Sequence, residues 1–386
     1  MTSAILTRII HSLRAVPGSG GCVAQVSNLL YRRLPVGRLY LLGRICGLDI
    51  RDPADWKSAL CLRWPGAALR RRFALLALLA ALSPCAGQEW TRFRGPNGSG
   101  LSAAKTIPAV WTEKDINWKA PLPGPGHSSP VLWGERLFLT TGDTTSNQVW
   151  VLCLSASQGQ VLWQRGFPIP AYHKNGFNTV ASGSPAVDEH RVYVCWTTPE
   201  RFTLAAFDHE GKRAWEKDLG PFISQHGGGA SPIVLGEQVI LANQQDGQSF
   251  VIAVDAATGD TRWRTARKTA EAGYATPCVY DPGDGQPTLV LASHSHGLSG
   301  IDPASGKVLW ELAGVFDKRV VSSPVMAAGL IVGACGSGEG GTYLVAARPG
   351  KSQGGPASRI GLYDSPRRPV RAHEPLPGGV AFLVGR

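Results

Sequence analysis

Apolar runs long enough to cross a membrane are missing from this chain of 386 residues. The longest, Phe73 to Leu82, has ten residues, whereas a spanning helix needs about 20. The patterns G-x-S-x-G and C-x-x-C-H are also missing, which leaves hydrolase and c-haem readings without support. Surplus charge of one sign disappears from most of the chain once it is located. The formal net charge is +11, but residues 88–350 hold 21 basic against 23 acidic side chains. The excess sits in residues 1–87, with 12 against 3, and in residues 351–386, with 6 against 2. No basic stripe remains on the long central part to neutralise phosphates, so nucleic acid is not an expected partner.

What is present points to β structure. There are 47 glycines, 28 prolines and 12 tryptophans against two methionines, a mixture that suits many short strands joined by tight turns. One pattern recurs: a glycine, three residues, then tryptophan, as Gly159/Trp163, Gly211/Trp215, Gly259/Trp263 and Gly306/Trp310. The tryptophans lie 52, 48 and 47 residues apart, and Trp118 stands 45 before the first. A small residue plus proline recurs with nearly the same period, at Ser129-Pro130, Ser184-Pro185, Ser231-Pro232, Thr276-Pro277 and Ser323-Pro324. Two independent markers sharing one period predict propeller blades or a comparable repeat, in units of four short strands that each bury their faces against the next unit. In the third copy, Asp255 opens the last hairpin by accepting loop N–H groups, and Gly259 closes it. The four tryptophans are expected to be structural pegs between blades.

The element Asp-x-x-[Thr/Ser]-Gly-x-x-x-Trp resembles the PQQ-like, or quinoprotein-dehydrogenase-like, repeat. It is complete at Asp255–Trp263 and Asp302–Trp310; Ser155 replaces the aspartate in the first copy, and the second, from Asp208, lacks one loop residue. The lead-in Trp90-Thr91-Arg92-Phe93-Arg94-Gly95-Pro96-Asn97-Gly98 and the stretch Gly126–Val131 resemble the opening of an exported bacterial subgroup. More distantly, the chain is similar to the propeller lipoprotein of the outer-membrane barrel-assembly machinery. The resemblance covers residues 90–347 and implies an all-β, eight-bladed propeller type, of which about five four-stranded blades are present here.

The expected domain plan follows. Residues 1–69 read as a spurious N-terminal extension and 70–87 as a signal peptide, with Arg70-Arg71-Arg72 before the apolar run and small residues after it. Residues 88–117 are the lead-in, 118–347 the blades, and 348–386 an atypical tail with the marks of a frameshift. The chain is therefore expected to be exported, to the periplasm or beyond. A membrane contact is expected only if Cys85 is lipidated, and Pro84 before it favours simple cleavage.

Dehydrogenases of the resembled family hold PQQ over Ca²⁺ and often carry vicinal cysteines. No two cysteines are adjacent here, and Cys153, Cys195, Cys278 and Cys335 read as buried free thiols. Gly336–Gly341 satisfies G-x-G-x-x-G, but a strand is predicted after it, so it reads as a hairpin turn. His294 and His296, on a strand, would share a face, yet no third metal ligand is evident. Polar residues ahead of the innermost strands, His127, His173, Asn175, His226, Tyr274 and Arg319, are the candidate ligand site at the channel mouth. The expectation is a non-catalytic binding or scaffold module for a protein or small molecule, with no catalytic residues, metal or cofactor. The alternative is a PQQ-dependent oxidoreductase using PQQ with calcium.

Overall fold

The computed structural model describes residues 89–104, 110, 112–172, 178–268, 271–283, 286–337, 340–348 and 358–364. The expected extension, the signal peptide and most of the tail lie outside them. Among the described residues no helix is long and apolar enough to cross a membrane.

Among the described residues, twenty strands form five four-stranded antiparallel sheets, each in plain sequence order. The first is β1 (Val131–Trp133), β2 (Arg136–Asp143), β3 (Gln148–Ser155) and β4 (Val161–Pro168). The second is β5 (Ala186–Val187), β6 (Arg191–Thr197), β7 (Phe202–Asp208) and β8 (Arg213–Asp218). The third is β9 (Ile233–Leu235), β10 (Gln238–Asn243), β11 (Ser249–Asp255) and β12 (Thr261–Arg267). The fourth is β13 (Cys278–Tyr280), β14 (Thr288–Ser293), β15 (Gly297–Ile301) and β16 (Val308–Leu312). The fifth is β17 (Val325–Ala327), β18 (Leu330–Ser337), β19 (Gly340–Arg348) and β20 (Ser358–Asp364). This is the predicted succession of PQQ-like propeller blades. The fifth sheet runs past residue 347, because β20 pairs with β19 along its length.

The core lies between sheets. The middle strands of the second and third blades are buried almost end to end, which requires cover on both faces. One apolar cluster joins the first and second blades, and others join the second to the third, the third to the fourth and the fourth to the fifth. In the outer strands β4, β8 and β12 the repeat tryptophan is the one buried residue.

Four tryptophans, Trp118, Trp163, Trp215 and Trp263, are each held by the hairpin of the next blade. The indole N–H of Trp118 donates to Ala156 O at 3.0 Å, Trp163 to His209 O at 2.8 Å, Trp215 to Ala256 O at 3.0 Å and Trp263 to Pro303 O at 2.8 Å. The hairpin glycine packs on the same ring. A Cβ on Gly159, Gly211, Gly259 or Gly306 would fall 2.2, 2.6, 2.8 or 2.5 Å from that indole, and all four have φ between +69° and +81°. Only glycine meets both demands. The hairpin aspartates act as predicted: Asp255 Oδ1 accepts from the N–H groups of Ala257 and Thr258 at 2.8 and 3.0 Å. Asp302 caps Ala304 in the same way, and Ser155 Oγ substitutes by accepting from Gln158.

The small-residue-proline marker has its own role. Ser129 N–H donates to Ser184 Oγ at 2.8 Å, Ser184 N–H to Ser231 Oγ at 2.9 Å, and Thr276 N–H to Ser323 Oγ at 2.9 Å. The hydroxyls of Ser184, Ser231 and Ser323 thus tie their blades to the one before, just ahead of the innermost strand.

Candidate functional site

The loops that enter the innermost strands are those that a propeller gathers at one end of its central channel. Three of the predicted residues come together there, from the third, fourth and fifth blades. Ser224 Oγ lies 3.1 Å from Tyr274 Oη, and the His226 N–H donates to Ser224 Oγ at 3.2 Å. The Tyr274 N–H reaches Val320 O at 3.1 Å, which sets it beside Arg319. Asp246 fastens two of these loops, accepting from Ala272 N–H at 2.7 Å and from Gln225 N–H at 3.3 Å. Sequence reasoning missed Asp246, which stands in the β10–β11 turn rather than ahead of an innermost strand. Its only signal was an Asp-Gly turn.

Charge and burial act together at this mouth. Burial, helped by the positive charge of Arg319, holds His226 below the usual imidazole range, with Asp246 opposing. Burial raises the Tyr274 phenol. Arg319 lies 3.7 Å from Glu271, yet its Nε is buried and makes no hydrogen bond. A buried donor whose carboxylate partner stands beyond hydrogen-bond distance is under-satisfied, and a ligand that supplied a closer acceptor would be favoured.

The other predicted residues stand apart. His127 is exposed, with its N–H on Ala181 O at 3.2 Å, between the first two blades. His173 and Asn175 lie outside the described residues. His294 and His296 are not on a strand: they occupy the turn between β14 and β15. His296 accepts from Lys268 N–H at 2.9 Å and faces Glu311 at 3.2 Å. The stretch Gly336–Gly341 falls at the β18–β19 junction, where Ser337 pairs with Gly340. Cys153, Cys195, Cys278 and Cys335 are free and buried.

The lead-in takes an unforeseen path along the inner edges of the blades. Trp90 forms a bridge to Leu132 of β1, and Thr91 O accepts from Val187 N–H at 2.8 Å. The Asn97 carboxamide clasps Val279 of β13, donating to its carbonyl and accepting from its N–H, both at 2.7 Å. Arg92 donates to Pro277 O and is buried, which lowers its guanidinium to about 10.

The described residues at the mouth do not fit PQQ held over calcium. Among the described residues no three His, Cys, Asp or Glu side chains converge as metal ligands. The two acids of the mouth are already engaged, Asp246 by backbone N–H groups and Glu271 by Arg319.

No curated protein matches the chain. Among solved structures, BamB from Moraxella catarrhalis is similar at 17% identity, covering 64% of this chain and 67% of its own, with a TM-score of 0.44. A europium-containing methanol dehydrogenase is similar at 14% identity over 70% of this chain and 58% of its own, with a TM-score of 0.49. The quinohemoprotein alcohol dehydrogenase from Comamonas testosteroni is similar at 16% identity over 67% and 45%, with a TM-score of 0.45. The chain thus spans 58% and 45% of the length of these two dehydrogenases. The family model described as outer membrane protein assembly factor BamB matches residues 147–365. That match takes in β3 to β20 and more than half of the sequence: the chain belongs to the PQQ-like propeller family.

Proposed function

We propose that this chain is an exported, non-catalytic propeller that binds a protein partner at its channel mouth. The observation that carries the reading is the meeting of His226, Tyr274 and Arg319, from three successive blades, with the Arg319 Nε buried, ion-paired to Glu271 at 3.7 Å but making no hydrogen bond. The family description, an assembly factor, favours a protein partner over a substrate. Cross-linking in intact cells, followed by purification of the tagged full chain, tests it. One defined partner is expected, with its yield cut by Arg319→Met and by Tyr274→Ala but not by Arg213→Met on the outer strand β8. A partner retained equally by all variants would refute the assignment to the mouth. Incubation with PQQ and Ca²⁺ should produce neither quinone absorbance nor dye-linked dehydrogenase activity, and either signal would revive the oxidoreductase reading.

A further inference from the structure

One position recurs on the innermost strands. Leu132, Val187, Val234, Val279 and Met326 each stand two residues after the repeat proline. In the first, third, fourth and fifth blades the next residue forms the last pair before the turn: Trp133↔Arg136, Leu235↔Gln238, Tyr280↔Thr288 and Ala327↔Leu330. In the second blade Asp188 N–H bonds Arg191 O at that place. Antiparallel ladders alternate, so the recurring residue turns its N–H and C=O away from the second strand and into the channel.

In three blades the lead-in takes these groups. Leu132 exchanges two bonds with Trp90, at 2.8 and 3.2 Å, Val187 donates to Thr91 O, and Val279 is clasped by Asn97. Among the described residues, Val234 and Met326 have no such partner. Their blades, the third and fifth, are also those whose entry loops carry His226 and Arg319.

We propose that Val234 and Met326 are the docking edges for an extended polypeptide segment of the partner, read by main-chain or carboxamide hydrogen bonds. The chain's own lead-in, an extended peptide, already sits on the equivalent groups of the other blades by these two chemistries. The proposal rests on the binding reading given above and names its ligand class.

The probe is a fluorescent synthetic peptide copying residues 89–100, added to the full chain and followed by anisotropy and by amide exchange. Saturable binding is expected, weakened about tenfold by Val234→Pro or Met326→Pro, each of which deletes one edge N–H. Val234→Thr, which keeps the N–H, should bind as the parent does. In the free chain the Val234 and Met326 amides should exchange faster than those of Leu132, Val187 and Val279, and should become protected when the peptide is added. If the proline variants fail to fold, this exchange on the unaltered chain decides. Absent binding, or binding that leaves the Val234 and Met326 amides unprotected, overturns the proposal. If an Arg319-dependent partner is captured while the peptide fails, the docking edge falls and the binding reading stands. If neither is found, both fall.

Discussion

The Trp215 ring lies against Gly259, 44 residues on, and its indole N–H reaches Ala256 O in the same hairpin. The glycine has φ +79°, and a Cβ there would sit 2.8 Å from the ring. Two penalties therefore meet in Gly259→Ala, the left-handed backbone and the overlap, together about 2–4 kcal/mol. Gly236→Ala makes the control, since φ is +58° but nothing lies within 4 Å. It should cost only about 1 kcal/mol. Urea unfolding of both variants checks the difference, and equal losses would mean that the ring contact contributes nothing.

Trp263 separates apolar burial from hydrogen bonding. Trp263→Ala should cost about 3–5 kcal/mol. Trp263→Phe keeps most of the burial but leaves the Pro303 carbonyl without its donor, for a loss of about 1–3 kcal/mol. Denaturant midpoints at constant slope give the comparison.

The blade thiols should be silent in the native state. Burial raises Cys195 to about 12, and Cys153 and Cys278 to about 11. A disulfide reagent at about pH 8 should leave them unlabelled until denaturant is added. Rapid labelling of any of the three before unfolding would contradict this packing.

Acid should loosen the third hairpin. The Arg262 guanidinium and the Thr258 N–H hold Asp255 at about 2. A folded value below the unfolded one, about 3.9, means the contribution is complete above that value and is lost as pH falls towards 2. The carboxylate is still open to water, so the change is small. Asp255→Asn should flatten the dependence of the unfolding midpoint on pH in that window. An unchanged acid limb would assign it to other carboxylates.

The period, the four-stranded blades and the hairpin aspartates were legible because each is a local pattern of turn chemistry. The partner of each marker was not. Gly259 and Trp263 lie four apart in sequence, yet Gly259 packs on Trp215 and Trp263 on Gly306, contacts that a repeat creates only by stacking. The same holds for the serine hydroxyls, whose donors are one blade away. At the mouth, His226, Tyr274 and Arg319 were legible as entry-loop residues, and His127 was read in with them although it stands between other blades. Asp246 escaped because its role comes from backbone N–H groups of two loops, which no side-chain pattern announces. The fifth blade keeps the register slip seen in the others, between Ala346 and Ala347. That register puts Gly361 opposite Ala346, where the other blades place tryptophan, so the Gly-x-x-x-Trp pattern ends with the fourth blade.

The clasp of Asn97 on Val279 has a kinetic consequence. It closes a loop of 182 residues, whereas neighbouring blades close loops of one repeat. Stacking can spread from blade to blade as the chain emerges, because each step costs little closure entropy. The lead-in emerges before the blades it touches but has no place to dock until the first, second and fourth inner strands stand together. It is therefore the last piece to settle, and its arrival should appear as a slow, separate phase in the burial of Trp90 after the blades have formed.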